Sequence, residues 1–166
     1  LSGDVRNIIL MNQARSFSRN QEIRPFDKTA DGILPGEGAA AIIIKRLDRA
    51  VADGDRIYSV IKGFGGASGG GIDTDTPTKE AYVRSLEKCC RQANISPAAI
   101  SFVDTHGSGI PAEDDLESTA LNDFFSDSRD PCAVGSVKPN IGHTGAASGL
   151  AALVKTSLSL YQEVLP

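Results

Sequence analysis

The chain carries two histidines, His106 and His143, each in a glycine-flanked turn after an apolar run. Imidazole donates or accepts a hydrogen bond near neutral pH without carrying charge, which suits it to acid, base or donor roles. Lys138 opens the crossing Lys138-Pro139-Asn140-Ile141-Gly142-His143, so a cation stands close to the second histidine. The amides of a following helix start favour developing negative charge at such a place. Charge stabilisation on an oxygen is the chemistry this set suggests. An ordinary strand-loop-helix unit with a solvated lysine and an incidental histidine stays open on these residues alone.

The elements that must hold these groups follow from periodicity and turn chemistry. Ala133 to Val137 reads as a buried strand, and the small-residue run ending in Leu150, Leu153 and Val154 as a helix buried on most sides. Pro139 bars a straight continuation of the strand. Ile100 to Asp104 reads as a second strand, which delivers His106 at its C-terminal end, where open α/β sheets keep ligand sites. Glu113 to Phe125 is amphipathic with Leu116, Ala120, Leu121, Phe124 and Phe125 inward, and its acidic start suits the helix dipole. Glu117 lies one turn in, where an acid either faces solvent or meets a buried cation.

Upstream, Asp4 to Phe17 has helical spacing with Asp4 as N-cap, and Arg24 to Gly32 is a turn-rich loop. Arg15, Arg19 and Arg24 read as solvated or as contacts for an acidic partner. Glu37, between two glycines, reads as a cap on neighbouring amides. Ala39 to Ile44 and Arg56 to Phe64 read as buried strands, joined by a short helical connector that ends at Gly54. Gly65 to Asp75 is a mobile or substrate-facing loop. The longest helix is expected from Thr76 as N-cap and Pro77 in first position to Asn94, with Tyr82, Leu86, Cys89, Cys90 and Ala93 on one side.

The 166 residues suffice for one domain, and the net charge of -4 argues against nucleic acid as the main partner. No apolar run reaches the roughly 20 residues of a membrane span. Three cysteines, two of them adjacent, make no disulfide framework. With no export signal in view, a cytoplasmic setting is expected. The sequence contains no complete Gly-x-Gly-x-x-Gly or P-loop pattern, so a nucleotide-binding domain is not expected. No metal site is assigned.

Val103-Asp104-Thr105-His106-Gly107-Ser108-Gly109, with Asp114 and Glu117, resembles the first histidine motif of β-ketoacyl synthases. Gly135-Ser136-Val137-Lys138-Pro139-Asn140-Ile141-Gly142-His143, with Ala146-Ala147-Ser148-Gly149, resembles their lysine and second-histidine motif. Arg24-Pro25-Phe26-Asp27, Asp31-Gly32 and Gly36-Glu37-Gly38-Ala39 match a third block. Nearest are the ketosynthase domains of polyketide and polyunsaturated fatty acid synthases. The resemblance implies an α/β, thiolase-like layered fold, a mixed sheet with helices on both faces, present here as roughly the second half. Residues 1–24 would be the tail of the N-terminal ketosynthase half, and 25–166 the C-terminal half, cut before its last strands.

The implied activity is acyl transfer by decarboxylative Claisen condensation of an acyl thioester with a malonyl-type thioester. Substrates would ride on the phosphopantetheine of an acyl carrier protein, with no tightly bound cofactor. Partners would be that carrier protein, the remainder of the ketosynthase domain and a second copy in a homodimer. Carried over by motif, His106, His143 and Lys138 are the catalytic set, the two histidines holding the malonyl thioester carbonyl. Lys138 holds their geometry, paired with Glu117, and a nearby lysine would keep the histidine neutral. Ser108 stands where a threonine often touches the pantetheine arm, and Ile110 replaces another such threonine, losing a hydrogen bond. Glu113 stands for a usual Gly, Asp115 for Pro, and Pro139 for Ser. None of Cys89, Cys90 and Cys132 sits in a nucleophile-like turn, so the nucleophilic Cys is expected outside this chain, and the chain alone is expected to be inactive in condensation. The alternative is a non-condensing, chain-length-factor-like or carrier-protein-binding module.

Overall fold

The computed structural model describes residues 4–70 and 77–165. Asp4 caps helix α1 (Val5–Ala14), its carboxylate accepting from the Arg6 amide at 3.3 Å. The chain then runs beside residues 31–33. The Ser18 amide donates to the Ile33 carbonyl at 2.8 Å, the Ile33 amide returns to Ser16 at 2.9 Å, and Ile33 is fully buried. Asp31 gathers this turn, accepting from the Ser18 hydroxyl at 2.7 Å and the Arg19 amide at 3.0 Å.

Helix α2 (Leu47–Ala52) is the expected connector, and Gly54 follows at φ 68°. On either side the expected strands at 39–44 and 56–64 are absent. A strand exists only with a ladder partner. Among the described residues no strand lies beside these runs, and Ile43 stays fully exposed.

Helix α3 (Lys79–Ala93) is capped by Thr78, whose hydroxyl accepts from the Ala81 amide at 3.2 Å. The cap is therefore Thr78 in place of Thr76, which lies outside the described residues, and Pro77 precedes the cap rather than filling the first turn. Asn94 ends the helix in the left-handed region at φ 55°, which asparagine tolerates.

Strand β1 (Phe102–Asp104) leads through the His106 loop to α4 (Pro111–Phe124). Pro111 opens α4 two residues before the expected start, because the first turn does not need its missing N–H. Ala120, Leu121 and Phe124 form its buried face, and α4 packs on α3. Strand β2 (Ala133–Gly135) pairs parallel with β1, Phe102 opposite Ala133 and Asp104 opposite Gly135. Parallel pairing carries both strands in one direction, so the loops that follow them emerge at the same edge. Those loops hold the two histidines. The second contains one helical turn, α5 (Lys138–Ile141), where no helix was expected. Pro139 is accommodated in that first turn, and Gly142 ends it at φ 77°. A side chain on Gly142 would lie 2.8 Å from the Gly36 Cα. Helix α6 (Ser148–Gln162) closes the chain.

Candidate active site

His106 stands two residues beyond β1, and its loop is fixed by two buried carboxylates from α4. Glu117 is 2 % exposed. It accepts from the His106 amide at 2.7 Å, the Gly107 amide at 2.8 Å and the Tyr82 hydroxyl. Asp114 accepts from the Ser108 and Gly109 amides at 3.0 and 3.3 Å, and from the Phe26 amide at 2.8 Å. Gly107 has φ 43° and no room for a side chain beside Ser136, which is why the loop turns there. Glu117 thus does not face solvent, and among the described residues it forms no ion pair. The expected direct pairing with Lys138 is not made, because the His106 peptide lies between them and its amide already takes the carboxylate.

Lys138 is buried, and its ammonium donates to the His106 carbonyl. It also lies 3.4 Å from His106 Nδ1. Burial holds its pKa below the usual lysine range, against the pull of Glu117 and Asp104. An ammonium has only protons to offer, so His106 Nδ1 accepts and the ring proton sits on Nε2. That Nε2 lies 3.1 Å from Glu113 Oε2. Glu113 is bound in turn by Arg15, with NH1 3.2 Å from each carboxylate oxygen. His106, then Ser108 and Arg15, pull the Glu113 carboxyl down to about 2 despite partial burial.

His143 is held on both backbone sides. Its amide donates to the Leu34 carbonyl at 2.7 Å, and the Gly36 amide donates to its carbonyl at 3.1 Å. The Gly145 amide donates to Nδ1 at 3.1 Å, which fixes the ring proton on Nε2. Nε2 is buried and has no hydrogen-bond partner among the described residues. Burial first, then Lys138 and His106, lower the His143 pKa to about 4, so the ring is neutral at pH 7. The two imidazoles meet edge to face, centroids 5.8 Å apart and planes at 77°. A buried, neutral N–H without a partner among the described residues is an exception among buried polar groups.

The comparisons with known proteins agree with the motifs. The family model described as "Beta-ketoacyl synthase, C-terminal domain" matches residues 58–166. The N-terminal domain model of the same family matches residues 1–50. The chain belongs to the β-ketoacyl synthase family.

A polyketide synthase of Burkholderia thailandensis, ThaG, is 40% identical over 160 residues, covering 93% of this chain and 3% of the relative. A highly reducing polyketide synthase of Hypocrea jecorina, sor1, is 42% identical over 157 residues, covering 94% of this chain and 6% of the relative. The solved ketosynthase from module 6 of the bacillaene synthase of Bacillus subtilis superposes with TM-score 0.92 at 36% identity. That match covers 99% of this chain and 30% of that one, and identifies the fold as the thiolase-like α/β fold in incomplete form. This β-ketoacyl synthase chain therefore spans a small part of the curated relatives it matches.

The remaining expected site residues divide. Ser108 is 0 % exposed, and its hydroxyl accepts from the Ile110 amide at 3.2 Å. Its side chain thus shapes the loop from within. Ile110 is half-buried at the N-cap of α4. Cys90 is buried and Cys89 and Cys132 are half-buried, and burial pushes the Cys90 and Cys132 thiols up. Two site residues escaped the sequence reading. Glu113 is expected as a helix-start acid and as a departure from a usual glycine, and neither expectation includes its contact with His106. Tyr82 was read as core, and nothing in its spacing announced that its hydroxyl reaches Glu117.

Proposed function

We propose that the chain supplies the two-histidine side of a site for decarboxylative condensation of thioesters, within a β-ketoacyl synthase of the polyketide type. The observation that carries this reading is His143 Nε2–H, buried, neutral and without a partner, beside His106. A malonyl-type thioester loses carbon dioxide, and the electrons of the broken carbon–carbon bond pass into the thioester carbonyl. Donors at His143 Nε2 and His106 Nε2 hold the resulting enolate oxygen. The enolate carbon then attacks an acyl thioester and expels its thiolate. Lys138 and Glu117 are positioning residues that grip the His106 peptide from both sides. The acyl-bearing Cys is not assigned to this chain, since burial moves Cys90 and Cys132 away from thiolate character. These residues alone would not condense.

The substrates would arrive on the phosphopantetheine of an acyl carrier protein. The remainder of the ketosynthase domain and a second copy are the further partners, and the setting is cytoplasmic. Among the described residues no helix is long and apolar enough to cross a membrane. A chain-length-factor-like module is the weaker reading, because both histidines and Lys138 converge within hydrogen-bonding or ring contact.

His143→Ala and His106→Ala test the proposal in the full-length polypeptide, read as carbon dioxide released from a malonyl thioester. Loss of one such donor lowers the rate about 10²–10³-fold. Wild-type rates in both variants would remove the reading.

A further inference from the structure

The contact between His106 and Glu113 is an unusual one for a donor site. His106 Nε2 carries the ring proton and is the atom that would hold the thioester carbonyl, yet a carboxylate oxygen sits 3.1 Å from it. Glu113 stays ionised, its pKa held near 2. It lies on the first turn of α4 with its side chain 16% exposed, while the His106 side chain is 39% exposed. His143 Nε2, by contrast, has no partner among the described residues. The two donors are therefore not equivalent before substrate binds: among the described residues one is unpaired and one is taken.

Resting on the function proposed above, we propose that Glu113 is a built-in occupant of the hydrogen-bond seat on His106, which the thioester carbonyl must displace. Arg15 makes displacement feasible. Its NH1 already lies 3.2 Å from both Glu113 oxygens, so a carboxylate that releases His106 keeps a charged partner. The carbonyl thus exchanges places with Glu113 and Glu113 falls back on Arg15. No bond is made or broken in this exchange. His143 takes the carbonyl first, and His106 joins once Glu113 yields. The occupant raises the concentration at which the site fills and leaves the bound complex otherwise unchanged.

The test uses steady-state decarboxylation of a malonyl thioester by the full-length polypeptide. Glu113→Ala empties the seat, so KM falls about 3- to 30-fold, the worth of one part-exposed charged hydrogen bond. Because the gain is shared by substrate complex and transition state, kcat stays within about twofold. Glu113→Gln, of the same shape but uncharged, lowers KM in the same direction by less, and serves if the alanine variant folds poorly. Arg15→Ala removes the fallback partner, so it raises KM in the wild-type background and does nothing in Glu113→Ala. A lower kcat without a lower KM in the Glu113 variants would make Glu113 an orienting residue and overturn the proposal. Unchanged kinetics would overturn it equally. His106→Ala separates the two levels: a wild-type rate there sinks the proposed function itself, whereas an impaired His106→Ala with no KM effect at Glu113 sinks only the occupant.

Discussion

Glu117→Gln isolates the carboxylate that fixes the histidine loop. In the structure one oxygen takes the His106 amide at 2.7 Å together with the Tyr82 hydroxyl, and the other takes the Gly107 amide at 2.8 Å. Glutamine keeps one acceptor oxygen, but its NH₂ must then face an N–H, donor against donor. A buried donor left unmade costs about 1–3 kcal/mol, and the surviving bonds lose about 1 kcal/mol more with the charge. The loop should therefore open more easily by about 2–4 kcal/mol. At tenfold per 1.4 kcal/mol, hydrogen-exchange protection of the His106 and Gly107 amides falls roughly 30- to 700-fold. Amides in the middle of α4 serve as the internal control. Tyr82→Phe removes one hydroxyl and costs about 0.5–1.5 kcal/mol, a much smaller loss. Neutralising Glu117 also strips Lys138 of the leading attraction that offsets its burial, so the lysine pKa drops further. Protection at both amides within threefold of wild type would refute the account of Glu117 as the clamp of the loop.

Two further outcomes follow from the geometry. His143 should titrate near pH 4 when its ring is followed by NMR, and a midpoint at 6 or above would contradict the burial argument. The sign is fixed: with the folded pKa depressed, the unfolded chain protonates first, so the contribution of this ring to stability is full above about pH 6.5 and is lost as pH falls toward 4. Gly142→Ala forces a side chain into φ 77° and to within 2.8 Å of the Gly36 backbone. Left-handed geometry costs about 1–2 kcal/mol and the overlap about 1–3 more, so urea unfolding should show a loss of about 2–5 kcal/mol. An unchanged midpoint would show that the 35–36 loop yields freely.

The histidine and lysine placements were legible because they depend on local order: strand, sharp turn, helix. The motif residues His106, Lys138 and His143 do meet, and the strands that precede their loops start within two residues of expectation, whereas the turn α5 that carries Lys138 had no signal. Contacts across long sequence distance were not legible. Arg15 reaches Glu113 over 98 positions and Tyr82 reaches Glu117 over 35, and neither separation leaves a periodic trace. The helix cap was misplaced because Thr76 and Thr78 are equal by type, and only the hydroxyl-to-Ala81 contact decides between them. The apolar runs at 39–44 and 56–64 have the composition of strands, but a ladder needs a neighbour, and pattern alone does not say where that neighbour is.

The two family models divide the chain between residues 50 and 58, yet the site does not divide there. Arg15 binds Glu113, the Phe26 amide binds Asp114, and Leu34 and Gly36 grip the backbone of His143. Every one of these contacts joins a residue before the division to one after it. A recombinant synthase spliced at that point would inherit the histidines with Asp114, Glu117 and Lys138 from one parent, and Arg15, Phe26, Leu34 and Gly36 from the other. Such hybrids should tolerate the splice where the donor parent has an acidic residue, or none, to match what the acceptor parent places at Arg15. The natural unit of exchange is the stitched pair of segments, because the seam that homology draws runs through the middle of the frame that holds the two histidine loops.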